Sequence, residues 1–231
     1  DIETGQLYPG QGMYENPQLR WGFIRKVYSI LSMQLLLTVA VGLVMILFDP
    51  VRQFMQTTTG LYVMIAAMVL TVMLCFMMSC FSQRHPWNII LLILFTLALS
   101  WMVGATCTQR KGQAVLMAAT LTLLVTFSLT LFTFLAAKRG YDFNFLGPFL
   151  LCAVLLLMAF GIIRIIFPMG RAAEQVIACI GALVFCGFII YDTDNIIKRY
   201  TYDQAIEAAA CLYLDIINLF LNLLALLSDS E

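Results

Sequence analysis

Three aspartates stand where the chain is otherwise apolar. Asp192 and Asp194 fall in Ile190-Tyr191-Asp192-Thr193-Asp194-Asn195. Asp215 falls in Leu212-Tyr213-Leu214-Asp215-Ile216-Ile217-Asn218-Leu219-Phe220. A carboxylate in hydrocarbon costs roughly 2.5–3.5 kcal/mol even on the gentlest insertion scale, so such residues are candidates for proton or ion handling. Two carboxylates held together in low dielectric cannot both ionise easily. A pair of them is expected to act as a proton-sensitive latch near neutral pH.

Other chemistry is scarce. His85 is the one histidine in the sequence. That argues against histidine-clustered metal sites, and any Ser-His-Asp triad would have to use it. Cys75, Cys80, Cys107, Cys152, Cys179, Cys186 and Cys211 lie in or beside apolar runs, where cysteine acts as a small hydrophobe. Their odd count and the lack of close CxxC pairs argue against a disulfide framework or a zinc site. Thirteen basic and thirteen acidic residues give zero net charge, so no nucleic-acid partner is expected.

The elements that must hold these residues follow from composition. The 231 residues are 62% hydrophobic and 11% charged, against about 25% charged in soluble domains. Lipid is the expected solvent, and the bilayer the first partner. Seven apolar runs, at 27–48, 61–82, 88–107, 114–136, 145–167, 175–197 and 205–227, each approach the ~20 residues of a membrane-spanning helix. The reading is an all-α integral membrane protein. Residues 1–19, with Pro9, Gly10, Gly12 and Pro17, are expected to form a flexible polar tail. Residues 20–231 form one seven-helix domain. Short connections make neighbouring helices antiparallel.

Basic residues set the expected orientation. Arg20, Arg25, Lys26, Arg84, Lys138, Arg139, Lys198 and Arg199 lie on the side of the N-terminus; Arg52, Arg110, Lys111, Arg164 and Arg171 lie opposite. The excess favours a cytoplasmic N-terminus. Arg164, near the end of the fifth run, is expected to snorkel to the interface.

Depth selects the partners. Asp192 precedes Arg199 by about 10 Å of helix, and Asp215 follows Ala205 by about 15 Å. The two therefore share a layer. Asp194 is shallower and points roughly 160° away from Asp192, which suits a helix-to-helix staple or an interfacial position. Asn195 lies on the face of Asp192, and Asn218 and Asn222 on the face of Asp215. Arg84, ending the second run, can approach from the same side, either as a counter-charge or as a simple orientation anchor. Thr122, Thr126, Thr130 and Thr133 share one face of the fourth run, for helix packing or for lining a water-filled path.

Phe185-Cys186-Gly187-Phe188-Ile189-Ile190-Tyr191-Asp192-Thr193-Asp194 together with Leu212-Tyr213-Leu214-Asp215-Ile216-Ile217-Asn218-Leu219-Phe220-Leu221 resembles the Lifeguard branch of the Bax-inhibitor motif family. Arg20-Trp21-Gly22-Phe23-Ile24-Arg25-Lys26-Val27-Tyr28, Asp142-Phe143-Asn144-Phe145-Leu146-Gly147-Pro148-Phe149 and Ile197-Lys198-Arg199-Tyr200-Thr201-Tyr202-Asp203 resemble the plant members most. The resemblance covers residues 20–227. It implies two three-helix layers around a central seventh helix, calcium leak from internal stores, and suppression of stress-induced cell death. It also implies a pH-sensitive aspartate pair joined by an arginine, carried over to Asp192, Asp215 and, through Ser82-Gln83-Arg84-His85-Pro86, to Arg84. Many relatives lack a counterpart of Asp194.

The resulting expectation is a calcium-permeable leak channel of an internal membrane (endoplasmic reticulum, Golgi or vacuole). Asp192, Asp215 and Arg84 would gate it and sense pH. Asp194, Asn195, Asn218 and Asn222 would support the ion path. Calcium is the transported ion, held transiently by Asp192 and Asp215, and no resident cofactor is expected. The alternative is a non-conducting protein that restrains cell death by binding other membrane proteins. Enzymatic activity is not expected. Aspartyl intramembrane proteases need Gly-x-Gly-Asp, whereas Leu212 and Leu214 stand there, and no proline follows Pro168.

Overall fold

The computed structural model describes residues 17–55, 57–81, 87–167 and 170–228. Arg84 and His85, and the first sixteen residues of the expected tail, lie outside them.

Every long apolar run is helical. The elements are α1 (Pro17–Leu47), the short α2 (Asp49–Met55), α3 (Thr58–Phe81), α4 (Trp87–Thr108), α5 (Gly112–Lys138), α6 (Leu146–Ile166), α7 (Arg171–Lys198) and α8 (Ala205–Ser228). A single 3₁₀ turn, Tyr202–Gln204, leads into α8. Seven of these helices are long and apolar enough to cross a membrane. Helices suit lipid because each backbone N–H and C=O is paired within its own segment.

One expectation needs correction. The tail does not extend to residue 19, because α1 begins at Pro17. Proline is well placed in a first turn, where its missing N–H is not needed. At 31 residues, α1 is about 46 Å long, against a hydrocarbon core of about 30 Å. Its first turns, with Arg20, Arg25 and Lys26, therefore project beyond the apolar layer. The connection after α1 contains the short helix α2.

The helices form two layers. α1, α3 and α4 pack together, with α4 in the middle; α5, α6 and α7 form the second layer, with α7 in the middle. α8 lies between the layers and touches α1, α4, α5 and α7. No residue from Ala205 to Ser228 is exposed. Small side chains permit this: Ala205, Ala208, Ala209 and Ala210 are buried and let neighbouring backbones approach closely. The outer helices instead present large apolar side chains outward, such as Phe76, Phe127, Leu155 and Leu183, as lipid contact requires.

Candidate functional site

Asp192, Thr193, Asp194 and Asn195 are four consecutive buried residues of α7. Successive helical residues turn by about 100°, so these four must find partners in different directions. They do.

Asp192 faces α8. Its carboxyl group neighbours that of Asp215, and the two residues are only 8% and 6% exposed. No N–H or hydroxyl donor reaches Oδ2 of Asp215. Ionised carboxylates only accept. A hydrogen bond between these two groups therefore requires a proton on one of them. Asn195 also contacts Asp192, one turn away along the same face.

Asn195 links the buried pair to the exterior. Arg199 Nη1 donates to Asn195 Oδ1 at 2.7 Å and to Asn144 Oδ1 at 2.8 Å. Its Nη2 donates to Asp142 Oδ1 at 2.7 Å. The backbone N–H of Asn144 donates to the same Asp142 oxygen at 3.0 Å. That bond holds the Asp142 carboxyl below the usual aspartate range, with Arg199 and Lys198 reinforcing it. The series Asp215, Asp192, Asn195, Arg199, Asp142 thus runs from the core to the connection between α5 and α6.

Asp194 points away from the pair, toward that same connection. It is fully buried, lies 2.5 Å from Lys198 Nζ, and accepts the backbone N–H of Phe143 at 3.2 Å. Lys198 also donates to the Tyr141 carbonyl. This is the geometry of a staple fixing the α5–α6 connection to the last turn of α7.

The asparagines of α8 behave differently. Asn218 and Asn222 donate to the carbonyls of Leu214 and Asn218, each at 2.8 Å. Asn222 rests against the bare backbone of Gly181 on α7, where a methyl group would overlap its amide. The stripe they form with Asp215 therefore faces protein.

Three further features were not anticipated from the sequence. Arg20 of α1 caps the C-terminus of α7: its Nε donates to the Ile197 carbonyl, Nη1 to the Tyr200 carbonyl at 2.6 Å and Nη2 to the Asn195 carbonyl at 3.5 Å. A guanidinium there also opposes the negative end of the helix dipole. On the other face of α8, the Tyr213 hydroxyl lies 2.7 Å from Thr38 Oγ1, which lies 3.0 Å from Ser100 Oγ. This buried triplet joins α8 to α1 and α4. A small cavity of about 70 Å³ is lined by Glu207 and Cys211 of α8, with Cys75 of α3 and Asn88 of α4.

Of the remaining expected positions, Thr122 and Thr133 are buried and Thr126 and Thr130 half-buried. Thr122 and Thr133 bond carbonyls one turn back on their own helix, at 2.7 and 2.8 Å, as packing residues do. Arg164 pairs with Glu174 at 3.2 Å across the α6–α7 connection. Among the described residues no three His, Cys, Asp or Glu side chains lie close enough to hold a metal ion.

Six membrane-crossing helices in two layers around a buried seventh, α8, with two buried carboxyl groups between α8 and its neighbour α7, define a multi-pass membrane protein. Residues 20–231 match the family described as Inhibitor of apoptosis-promoting Bax1, and the chain belongs to that family. It is 50% identical to Protein LIFEGUARD 4 of Arabidopsis thaliana, over all of this chain and 96% of that protein. It is 50% identical to Protein LIFEGUARD 3 of the same plant, over 98% of this chain and 94% of that one. A Golgi anti-apoptotic protein of Vaccinia virus (strain Lister) is 40% identical, over all of this chain and 94% of its own length.

Proposed function

We propose that this chain forms a pH-sensitive, calcium-permeable leak pathway of an internal membrane, and that it limits stress-induced cell death by modulating calcium stores. The observation that carries the reading is the burial of two neighbouring carboxyl groups, Asp192 and Asp215, between α7 and α8. A pair that needs a proton to stay joined changes charge in the core when that proton count changes. Calcium requires oxygen ligands, normally six to eight. Two carboxylates with Asn195 nearby offer too few for tight binding, which suits transient passage.

In this reading the closed state shares one proton between the two aspartates and keeps one negative charge, which Arg84, three residues after α3 in sequence, would oppose. Mild acid adds a second proton and removes the charge that holds Arg84. A charge-assisted hydrogen bond is worth roughly 1.5–3 kcal/mol, enough to shift a two-state element substantially. Acid thus favours opening. The internal location and the restraint of cell death are supported by the name of the viral relative, a Golgi anti-apoptotic protein. A cytoplasmic N-terminus is supported by the excess of basic residues on that side.

Calcium flux through the purified protein in liposomes, measured across a pH series and separately from calcium binding, tests the proposal. Flux that rises in mild acid is the expected result. Absence of flux at every pH overturns it and leaves the restraint of cell death to binding of other membrane proteins.

A further inference from the structure

A groove of about 710 Å³ runs between α1 and α4, within the roughly 300–1,000 Å³ of small-molecule sites. Its apolar walls include Ile30, Met33, Ile89 and Ile93. Met33, Ile89 and Ile93 are exposed, so the groove opens sideways, toward lipid. Its lining also includes Lys26 and Asp203, both exposed and opposite in charge. Lys26 Nζ lies 4.4 Å from the centre of the Tyr202 ring, which places this end at the start of α8.

Gln34 makes the groove more than an apolar furrow. It lines the groove and is 4% exposed. Its Nε2 donates to Thr96 Oγ1 at 3.0 Å. Thr96 spends its own hydroxyl proton on the Leu92 carbonyl, at 2.7 Å, so toward Gln34 it can only accept. That fixes the amide, with Oε1 left over. Oε1 is buried and has no hydrogen-bond partner, which is costly unless a donor comes from outside the chain.

An occupant must therefore bring an apolar chain, a head with charges of both signs, and a hydrogen-bond donor below that head. Diacyl glycerophospholipids carry only ester acceptors at that level. A sphingoid backbone carries an amide N–H and a hydroxyl. We propose that the α1–α4 groove binds one sphingolipid, with its zwitterionic head at Lys26 and Asp203 and a backbone donor on Gln34 Oε1.

The test uses the full chain in phosphatidylcholine nanodiscs, with trace amounts of diazirine-bearing sphingomyelin or diazirine-bearing phosphatidylcholine of matched chain length. The two probes share one head and differ in backbone donors. Labelling of peptides from α1 and α4, read by mass spectrometry, should favour sphingomyelin by about threefold or more, the value of one hydrogen bond. Gln34→Leu should abolish the preference, and Ile93→Trp, which fills the groove, should lower labelling by both probes. Equal labelling of the wild-type chain overturns the assignment and leaves Gln34 to a water molecule. So does a preference that survives both substitutions.

Discussion

Arg20 and Tyr200 are 180 residues apart in sequence, yet Arg20 Nη1 donates to the Tyr200 carbonyl at 2.6 Å. The first helix thereby closes the last turn of α7, three residues beyond Ile197, whose carbonyl the same guanidinium also binds. Asn195, at the centre of the polar series, contributes its own carbonyl to this cap. The position of Asp192 thus depends on a residue from the other layer.

Arg20→Ala should lower the stability of the protein by about 1–3 kcal/mol, because helix-end carbonyls lose a charged donor. Arg20→Lys should recover only part of this, since an ammonium cannot span several carbonyls as a planar fork does. Thermal unfolding in a fixed detergent, comparing the two variants with wild type, measures both.

The aspartates of α7 should separate cleanly. Asp215→Asn and Asp192→Asn should remove most of the pH dependence of calcium flux, because a single remaining carboxyl cannot titrate as a pair. Asp194→Asn should keep that dependence and lower stability, since it breaks the contact with Lys198. Arg84→Ala should leak more at neutral pH. A wild-type pH profile in Asp215→Asn would remove the pair from the mechanism.

Asp142 gives a pH prediction with a definite sign. The Asn144 N–H holds its folded-state value below the ordinary one. A depressed carboxyl contributes above its unfolded value and loses that contribution only as pH falls through the lowered folded value. The link from Asp142 to Arg199 therefore survives mild acid. Asp142→Asn should loosen the α5–α6 connection, seen as faster hydrogen exchange there, while the acid response of flux stays in place.

Gly181 should tolerate no side chain without cost. Asn222 occupies the space a methyl would need. Gly181→Val should destabilise the α7–α8 contact by about 1–3 kcal/mol through overpacking. Equal melting temperatures for Gly181→Val and wild type would show that Asn222 can move aside freely.

The spans and the carboxyl pair were legible because hydrocarbon leaves strong marks on a sequence. Apolar runs end where charge begins, and an aspartate within one is too costly to be incidental. Helical rise and turn then sufficed to match Asp192 with Asp215 and to send Asp194 the other way. The start of α1 was hidden because Arg20, Arg25 and Lys26 break the apolar run without breaking the helix. The Arg20 cap left no local trace at all, since its acceptors are backbone carbonyls of a distant segment. The Tyr213–Thr38–Ser100 triplet was equally silent. A threonine or serine in any membrane helix can bond its own preceding turn, so its sequence gives no sign of a partner elsewhere.

The enclosure of α8 bears on how the chain is made. α8 leaves the ribosome after the other six spans, so two half-built sheaths of helices must wait in the membrane with their inner faces unpaired. α1 and α7 touch only along a short stretch, which is too little to close the sheaths early. Insertion and assembly are therefore separate events, as successive helix insertion and association would have it. Substitutions in α8 should leave the topology of the first six spans untouched and instead lengthen the interval in which the nascent protein is visible to quality control.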